Sequence, residues 1–304
     1  MEKIAFVFAG QGAQYPGMGR SLCEASKAAA EVFRLADSIR PGTSRQCFEG
    51  TKEELCVTYN TQPCLYAVDL AAAQALRECG VEPLAAAGFS LGEAAALTFS
   101  GAFSPEDGFR LVCRRGELMG EAAEKTPGSM AAVLKLDNET VEKICARFEQ
   151  VYPVNYNCTG QLVAAGAKEE MPAFCEAVAA AGGKARMLAV GGGFHSPFMA
   201  DASRQFAGTL EEMIMKKPRI PVYANRTALP YGENGKTLFA EQMRCPVLWQ
   251  QTVEQMAKDG ISVFVEVGPG KTLSGLIRRI LPDAAVYQVQ DAESLQAVKD
   301  AFRK

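Results

Sequence analysis

The sequence of 304 residues contains a single histidine, no excess of basic side chains and no long apolar run. Because His195 is the only histidine, a metal site built from several imidazoles is excluded, and imidazole acid–base chemistry has one available position. The 32 basic and 35 acidic side chains give a net charge of −3, so the basic surface typical of proteins that bind nucleic acids or membrane surfaces is missing. These absences predict a protein that binds no metal, nucleic acid or membrane.

Disulfides and targeting segments are also not indicated. The ten cysteines include no pair spaced as CxxC, and a chain of this length needs no cross-links to hold its core, so we expect free thiols in a reducing compartment. The apolar run Ile4–Ala9 is shorter than the core of a usual signal peptide. No stretch approaches the roughly 20 apolar residues of a membrane span. The sequence therefore predicts a cytoplasmic protein.

Strands and helices alternate along much of the chain, which is typical of an α/β fold with a mainly parallel sheet. The strands are predicted over residues 4–8, 85–88 and 262–267. The helices are predicted over residues 65–79, 91–99, 201–215, 249–258 and 272–281, with a further helix beginning at Ser104-Pro105.

The middle of the chain has a different order of elements. Strands are predicted over residues 129–136, 151–157, 161–166 and 184–190, and helices over residues 138–149 and 168–181. The order β-α-β-β-α-β is that of a ferredoxin-like unit. We therefore predict a ferredoxin-like subdomain at 126–191, inserted into a large α/β domain formed by residues 1–125 and 192–304.

The segment Gly88-Phe89-Ser90-Leu91-Gly92 has the pattern G-x-S-x-G. Between a strand and a helix, its glycines permit the tight turn that exposes a nucleophilic serine, and the helix N-terminus supplies N–H groups to an oxyanion. Ser90 is therefore a candidate nucleophile. The alternative is a glycine-rich turn in which Ser90 only caps the helix.

His195 is the only imidazole that can serve as the base that such a serine requires. It lies in the loop Gly191-Gly-Gly-Phe-His-Ser-Pro197, directly after the last predicted strand of the subdomain. A catalytic base and a purely structural histidine both remain open.

Arg115 interrupts an apolar face. On the helix that begins at Pro105, Arg115 shares one face with Leu111 and Met119, whereas Arg114 belongs to the opposite, charged face. A buried guanidinium needs an anionic partner, which is either a substrate carboxylate or an internal acid.

Two glycine loops resemble nucleotide sites only in part. Tyr15 occupies the third glycine position of a G-x-G-x-x-G motif that begins at Gly10, and Val265 occupies the first glycine position of a P-loop that would end at Thr272. Both motifs are incomplete, so we expect no nucleotide cofactor.

Seven motifs occur in the order found in malonyl-CoA:acyl carrier protein transacylases, the acyltransferases of fatty-acid and polyketide synthesis, and the sequence resembles this family along essentially its whole length. They are Phe8-Ala-Gly-Gln-Gly-Ala-Gln14, Gly88-Phe-Ser-Leu-Gly-Glu93, Arg115-Gly116, Val154-Asn-Tyr-Asn157 with Gly160-Gln161, Phe194-His195-Ser-Pro, Pro246-Val-Leu-Trp249 and Val265-Glu-Val-Gly-Pro-Gly270.

The resemblance implies an [acyl-carrier-protein] S-malonyltransferase with a large α/β-hydrolase-like domain. Malonyl-CoA would acylate Ser90, with His195 as the base, and the malonyl group would pass to the phosphopantetheine thiol of acyl carrier protein. The backbone N–H groups of Gln11 and Leu91 would bind the oxyanion. Such an enzyme has no permanently bound cofactor, meets its carrier protein transiently and is expected to be a monomer.

Further roles follow from the same resemblance. Arg115 would bind the malonyl carboxylate through two hydrogen bonds, and the backbone carbonyl of Leu248 would orient the catalytic histidine. The acyl pocket would include Phe89, Asn157 and Phe194. Phe89 stands where most relatives have histidine, which affects the polarity beside the serine, and Phe194 resembles malonyl-type rather than methylmalonyl-type sites.

Other functions remain open from the sequence. A serine thioesterase or hydrolase would release free malonate, and a transacylase subunit of malonate decarboxylase would share the fold and the motifs. A non-catalytic module that binds carrier protein would leave Ser90 unreactive towards a serine probe.

Overall fold

The computed structural model describes residues 3–302. Within them lie nine strands in two sheets: β1 (Ile4–Phe8), β2 (Ala85–Gly88), β3 (Gly128–Leu134), β4 (Val151–Cys158), β5 (Gln161–Ala167), β6 (Lys184–Met187), β7 (Val222–Tyr223), β8 (Val263–Val267) and β9 (Ala285–Val289).

The same residues form fourteen α-helices: α1 (Arg20–Ala25), α2 (Lys27–Ile39), α3 (Thr43–Glu49), α4 (Lys52–Cys56), α5 (Thr58–Glu78), α6 (Gly92–Phe99), α7 (Pro105–Lys125), α8 (Asn138–Cys145), α9 (Met171–Ala180), α10 (Ala200–Glu211), α11 (Gly235–Glu241), α12 (Trp249–Lys258), α13 (Thr272–Ile280) and α14 (Ala292–Phe302). Two short 3-10 helices cover Pro197–Met199 and Gln242–Arg244.

The first sheet is entirely parallel, with the strand order β7-β2-β1-β8-β9. Because parallel strands end at the same edge, the segments that follow β1, β2, β7 and β8 meet there, which is where ligands bind in open α/β sheets. The residues of β1, β2 and β8 are almost all fully buried, as expected for strands covered by helices on both faces. The predicted parallel sheet is confirmed.

The second sheet is antiparallel, with the order β4-β5-β3-β6, and α8 and α9 pack against it. Its chain order β3-α8-β4-β5-α9-β6 is the predicted ferredoxin-like arrangement. The N–H of Val247 donates to the carbonyl of Val154, and the N–H of Tyr156 donates to the carbonyl of Val247. Strand β4 therefore lies against the segment that leads into α12. The subdomain boundaries at 126 and 191 stay a prediction.

Helix α5 is long and mostly buried, and it packs against α2, α6 and α7. It begins at Thr58, seven residues before the predicted start at Leu65. Pro63 lies in its second turn, where a missing N–H costs the helix one hydrogen bond. Tertiary burial of residues 60–73 outweighs that loss.

The ends of other predicted elements also differ from those in the structure. Helix α8 ends at Cys145 rather than residue 149, and β6 ends at Met187 rather than residue 190. The sequence prediction did not include α1–α4, β7, α11, β9 or α14. All ten cysteines are free thiols, as predicted. Among the helices of residues 3–302, none combines the length and apolar character that crossing a membrane requires.

Candidate active site

Ser90 lies on a tight turn between β2 and α6, with a positive φ of 54°. A Cβ added to Gly88 would lie 1.9 Å from the carbonyl carbon of Gly92. A Cβ added to Gly92 would lie 2.2 Å from the carbonyl oxygen of Phe8. Both glycines are therefore required by close backbone approach, as in a nucleophile turn. A role for Ser90 as a simple helix cap does not fit, because the N-cap residue of α6 is Leu91.

His195 meets Ser90 directly: its Nε2 lies 2.7 Å from the Ser90 Oγ. The Nδ1 of His195 lies 2.8 Å from the backbone carbonyl oxygen of Gln242. Because a carbonyl only accepts, Nδ1 carries the proton and Nε2 presents its lone pair to the serine hydroxyl. Burial, with a further contribution from the charge of Arg115, lowers the pKa of His195 to about 4. The imidazole is therefore neutral near pH 7 and able to accept a proton.

The predicted role of the Leu248 carbonyl is wrong. Leu248 is the N-cap of α12, and its carbonyl accepts from the N–H and the hydroxyl of Thr252. The carbonyl that holds His195 belongs to Gln242, which lies six residues earlier in a 3-10 helix. A short motif identifies the segment, but which carbonyl reaches the imidazole depends on how this turn folds.

Arg115 is buried, with 1% of its surface exposed, and its guanidinium points at the serine. Its Nη1 donates to Gln62 Oε1 at 2.8 Å, and its Nη2 donates to Gln242 Oε1 at 2.8 Å and to Ser90 Oγ at 3.4 Å. Among residues 3–302 no carboxylate forms an ion pair with it, and its Nε has no hydrogen-bond partner. The internal acid that the sequence left open as a partner is therefore not in contact with Arg115.

The charge of this guanidinium persists at neutral pH. Burial lowers the pKa of Arg115 to about 10, and the nearby Glu93 opposes that change. A buried cation held only by neutral oxygens, from two amides and one hydroxyl, has unused capacity for an anion. The site can thus bind a carboxylate within hydrogen-bond reach of the serine.

Asn225 and Gln242 hold the Ser90 backbone in place, and neither was identified from the sequence. The Ser90 N–H donates to Asn225 Oδ1 at 2.7 Å, and Asn225 Nδ2 donates to the carbonyl of Gly88 at 2.5 Å. The carbonyl of Ser90 accepts from Gln242 Nε2 at 2.6 Å. Two side-chain amides thus support the strained turn at its N–H and its carbonyl. No local pattern marks these residues, because they lie 135 and 152 positions from Ser90.

The two predicted oxyanion-binding residues lie on adjoining turns. Gln11 follows β1, and Leu91 is the residue directly before α6. The turn at Gly10 packs against the turn at Ser90, since a Cβ on Gly10 would lie 2.6 Å from the Phe89 carbonyl oxygen. Among the backbone hydrogen bonds of residues 3–302, neither the Gln11 nor the Leu91 N–H is a donor. Both N–H groups therefore remain available to an oxyanion.

A cavity of about 240 Å³ adjoins these turns, and Gln11, Phe89 and Asn157 line it. The ring of Phe89 packs edge-on against Trp249, with 5.6 Å between the ring centroids. The Oδ1 atom of Asn157 is buried without a hydrogen-bond partner in the described part of the chain. Phe194 does not line this cavity and packs instead into the main core. Ser90, Arg115 and His195 do not line this cavity either, so the acyl pocket formed by Phe89, Asn157 and Phe194 stays a prediction.

A metal centre is not formed by the residues the structure covers. Within residues 3–302, no group of three or more His, Cys, Asp or Glu side chains is arranged to hold a metal ion.

Comparisons with known proteins agree with this geometry. The family model described as "Acyl transferase domain" matches residues 5–299. The malonyl CoA-acyl carrier protein transacylase of Bacillus subtilis (strain 168) is 36% identical over 304 residues, which cover 97% of this chain and 96% of that protein. The crystal structure of the malonyl CoA-acyl carrier protein transacylase from Clostridium perfringens has a TM-score of 0.96 at 34% identity, covering 99% of this chain and 97% of that one.

A second solved structure is similar along the whole fold. It is a malonyl-transacylase in complex with AntF, a type II polyketide synthase acyl-carrier protein. Its TM-score is 0.95 at 34% identity, and the match covers 99% of this chain and 100% of that one. The family model and these relatives span nearly the full length of this chain, which therefore belongs to the acyl transferase domain family.

Proposed function

We propose that this chain transfers the malonyl group of malonyl-CoA to the phosphopantetheine thiol of acyl carrier protein and so supplies fatty-acid synthesis. The malonyl group is carried on Ser90 between the two half-reactions. One observation supports this most directly: the Ser90 Oγ lies 2.7 Å from an imidazole nitrogen and 3.4 Å from a buried guanidinium. The names of the relatives point to the same donor and acceptor.

In the first half-reaction the Ser90 hydroxyl gives its proton to His195 Nε2, and Oγ attacks the thioester carbonyl carbon. The negative charge that develops on the carbonyl oxygen is stabilised by the N–H groups of Gln11 and Leu91. When this intermediate collapses, the C–S bond breaks and the CoA thiolate takes the proton from His195. A malonyl ester of Ser90 remains.

Arg115 selects the acyl group. The free carboxylate of malonyl carries a negative charge at neutral pH, and a guanidinium binds it through two parallel hydrogen bonds. The Arg115 Nη2 lies 3.4 Å from the Ser90 Oγ. A carboxylate bound by Arg115 is therefore close to an ester on Ser90, which fits an acyl chain as short as malonyl. An acetyl group has no carboxylate to bind there.

In the second half-reaction the phosphopantetheine thiol gives its proton to His195, and the thiolate attacks the ester on Ser90. The ester C–O bond breaks, and the Ser90 oxygen takes the proton back. The same oxyanion-binding groups serve both halves, since each passes through a tetrahedral intermediate. The active site returns to its starting state with no net change in protons.

The remaining properties that we propose follow from the same family. We propose a monomer in the cytoplasm that holds no permanent cofactor and meets acyl carrier protein transiently. We also propose that the substrate reaches Ser90 between the large domain, residues 1–125 and 192–304, and the subdomain at 126–191. A cavity lined both by Phe89, next to the Ser90 turn, and by Asn157 of β4 supports this arrangement.

The proposal is tested by mass spectrometry of the purified protein after malonyl-CoA is added. The expected result is a malonyl adduct on the peptide that contains Ser90, absent from the Ser90→Ala variant. An adduct that persists in that variant would show that the nucleophile is another residue. Steady release of free malonate in the presence of the holo carrier protein would instead identify a hydrolase.

A further inference from the structure

Glu93 is a buried carboxyl group beside the active site to which the transfer reaction assigns no role. It lies in the first turn of α6 and has no exposed surface. Its Oε1 accepts a hydrogen bond from the hydroxyl of Tyr231. Its Oε2 accepts from the N–H of Asn225 at 3.0 Å and from Nε2 of Gln242 at 3.2 Å.

A single amide connects this carboxyl group to Arg115. The Oε1 of Gln242 accepts from Arg115 Nη2 at 2.8 Å, while its Nε2 donates to Glu93 Oε2 at 3.2 Å. Glu93 and Arg115 therefore attract each other across a buried region without forming an ion pair. The ionisable groups that face Glu93 are Arg115 from α7 and Tyr231 from the segment after β7, and its other partners are neutral amides.

We propose that Glu93 is a proton-linked counter-charge to Arg115, so that binding of a malonyl carboxylate at Arg115 is coupled to protonation of Glu93. This inference rests on the proposed function. With malonyl bound, two carboxylates would share one guanidinium in a buried site, and removing one negative charge is favoured. The proton comes from hydronium in the solvent, whose O–H bond breaks as the O–H bond on Glu93 forms.

The ionisation of Glu93 supports this coupling. Burial raises the pKa of Glu93 to about 7, although its hydrogen bonds and Arg115 act in the opposite direction. Its protonation therefore takes place in the neutral pH range, where a nearby anion can shift it. Glu93 is a positioning residue, because it acts on the substrate through Gln242 and Arg115.

The proposal fixes the direction in which the affinity for malonyl-CoA changes with pH. Below pH 7 Glu93 is neutral, and the full charge of Arg115 is available to the malonyl carboxylate. As pH rises above 7 the ionised Glu93 competes for that charge, so malonyl-CoA affinity falls, by up to about tenfold per pH unit. Acetyl-CoA has the same CoA portion but no carboxylate, and its affinity does not follow this dependence.

The experiment measures proton uptake by isothermal titration calorimetry in the Ser90→Ala background, where no acyl-enzyme forms. Malonyl-CoA and acetyl-CoA are titrated at pH 7.5 in two buffers that differ in ionisation enthalpy. The expected result is that binding of malonyl-CoA is accompanied by uptake of about half a proton or more beyond the uptake on binding of acetyl-CoA. Adding Glu93→Gln removes this difference, since glutamine keeps an oxygen for the two N–H donors and can donate to Tyr231.

The matched control is Asp69→Asn, which changes another fully buried carboxyl group to its amide; neither Asp69 oxygen has a hydrogen-bond partner among the described residues, so it is not bonded to Ser90, Arg115 or Gln242. We expect Asp69→Asn to keep the difference in proton uptake between malonyl-CoA and acetyl-CoA. Equal uptake for the two thioesters overturns the proposal even if Glu93→Gln fails to fold, and so does an unchanged difference in Glu93→Gln. Failure of malonyl-CoA to bind at all would count against the proposed function itself.

Discussion

The backbone carbonyl of Gln242 lies 2.8 Å from His195 Nδ1, so a neutral group orients the base. A carboxylate in that place would stabilise the imidazolium, whereas a carbonyl fixes the tautomer without adding charge. The side chain of the same glutamine bonds to Arg115 and to the Ser90 carbonyl. One residue therefore joins the base, the nucleophile and the guanidinium.

Removing the base should nearly abolish acylation. In His195→Ala we expect the rate of malonyl-Ser90 formation to fall by about 100- to 10,000-fold, because no other imidazole is present. Stopped-flow or quenched-flow measurement of adduct formation checks this, with circular dichroism as the control for folding. A well-folded variant that loses less than about tenfold would show that another group accepts the proton.

Arg115 should control which acyl group is transferred. Arg115→Ala should lower the acylation rate constant for malonyl-CoA by about 100-fold or more, while acetyl-CoA transfer is kept or raised. The matched control is Arg114→Ala, because 39% of the Arg114 side chain is exposed and it pairs with Glu117 on the charged helix face. Equal losses for both thioesters in Arg115→Ala would contradict the role in carboxylate binding.

The acylation rate should fall only at an unusually low pH. Since the pKa of His195 is lowered to about 4, the imidazole stays neutral and active well below its ordinary pKa of 6.5. At saturating malonyl-CoA, we expect the acylation rate to stay level between pH 6 and 8 and to fall towards pH 4, by about tenfold per unit below the pKa. Single-turnover rates in that range test this. A midpoint near pH 6.5 would contradict it.

The nucleophile turn should tolerate no side chain at Gly92. Because a Cβ there would lie 2.2 Å from the Phe8 carbonyl oxygen, Gly92→Ala must separate α6 from β1. We expect a loss of more than about 2 kcal/mol in the free energy of unfolding. Urea denaturation followed by circular dichroism measures it.

Gly120→Ala is the control for that substitution. Gly120 lies within α7, and nothing is within 4 Å of its added Cβ. Alanine at this helical position should stabilise the protein by about 0.5–1 kcal/mol. Similar effects of the two substitutions would show that the close approach at Gly92 is not what constrains the turn.

The chemistry at the centre of the site could be predicted because it depends on local patterns. Ser90 stands in a five-residue motif with a strand before it and a helix after it. Arg115 interrupts an apolar helix face, and its burial follows from that periodicity. His195 needed no pattern, since it is the only histidine.

The supporting residues could not be predicted in this way. Gln62, Asn225 and Gln242 reach the site from separate elements, and each contact forms only once the sheet and the helices are assembled. Glu93 was part of a recognised motif, but its burial and its link to Arg115 depend on Gln242. The assignment to Leu248 failed for the same reason, because a carbonyl's direction is set by the turn that contains it.

Several further segments were also missed. Helices α1, α3 and α4 have only 6, 7 and 5 residues, and the two-residue strand β7 has no sequence signature. Helix α2 has 13 residues, and its buried Ala29, Phe33 and Ala36 recur at helical spacing, so its pattern was present in the sequence and was overlooked. Their positions follow from packing on α5 and from pairing with β2. Both are non-local interactions that override weak intrinsic preference.

The central claim is that Ser90 carries the malonyl group between the two thiols. Its most direct test isolates the protein after reaction with malonyl-CoA, removes free CoA thioester, adds holo acyl carrier protein and follows the intact masses of both proteins. We predict that the malonyl mass leaves the Ser90 peptide and appears on the phosphopantetheine arm in equal amount. Carrier protein that stays unloaded while the enzyme keeps its adduct or releases free malonate would contradict the account.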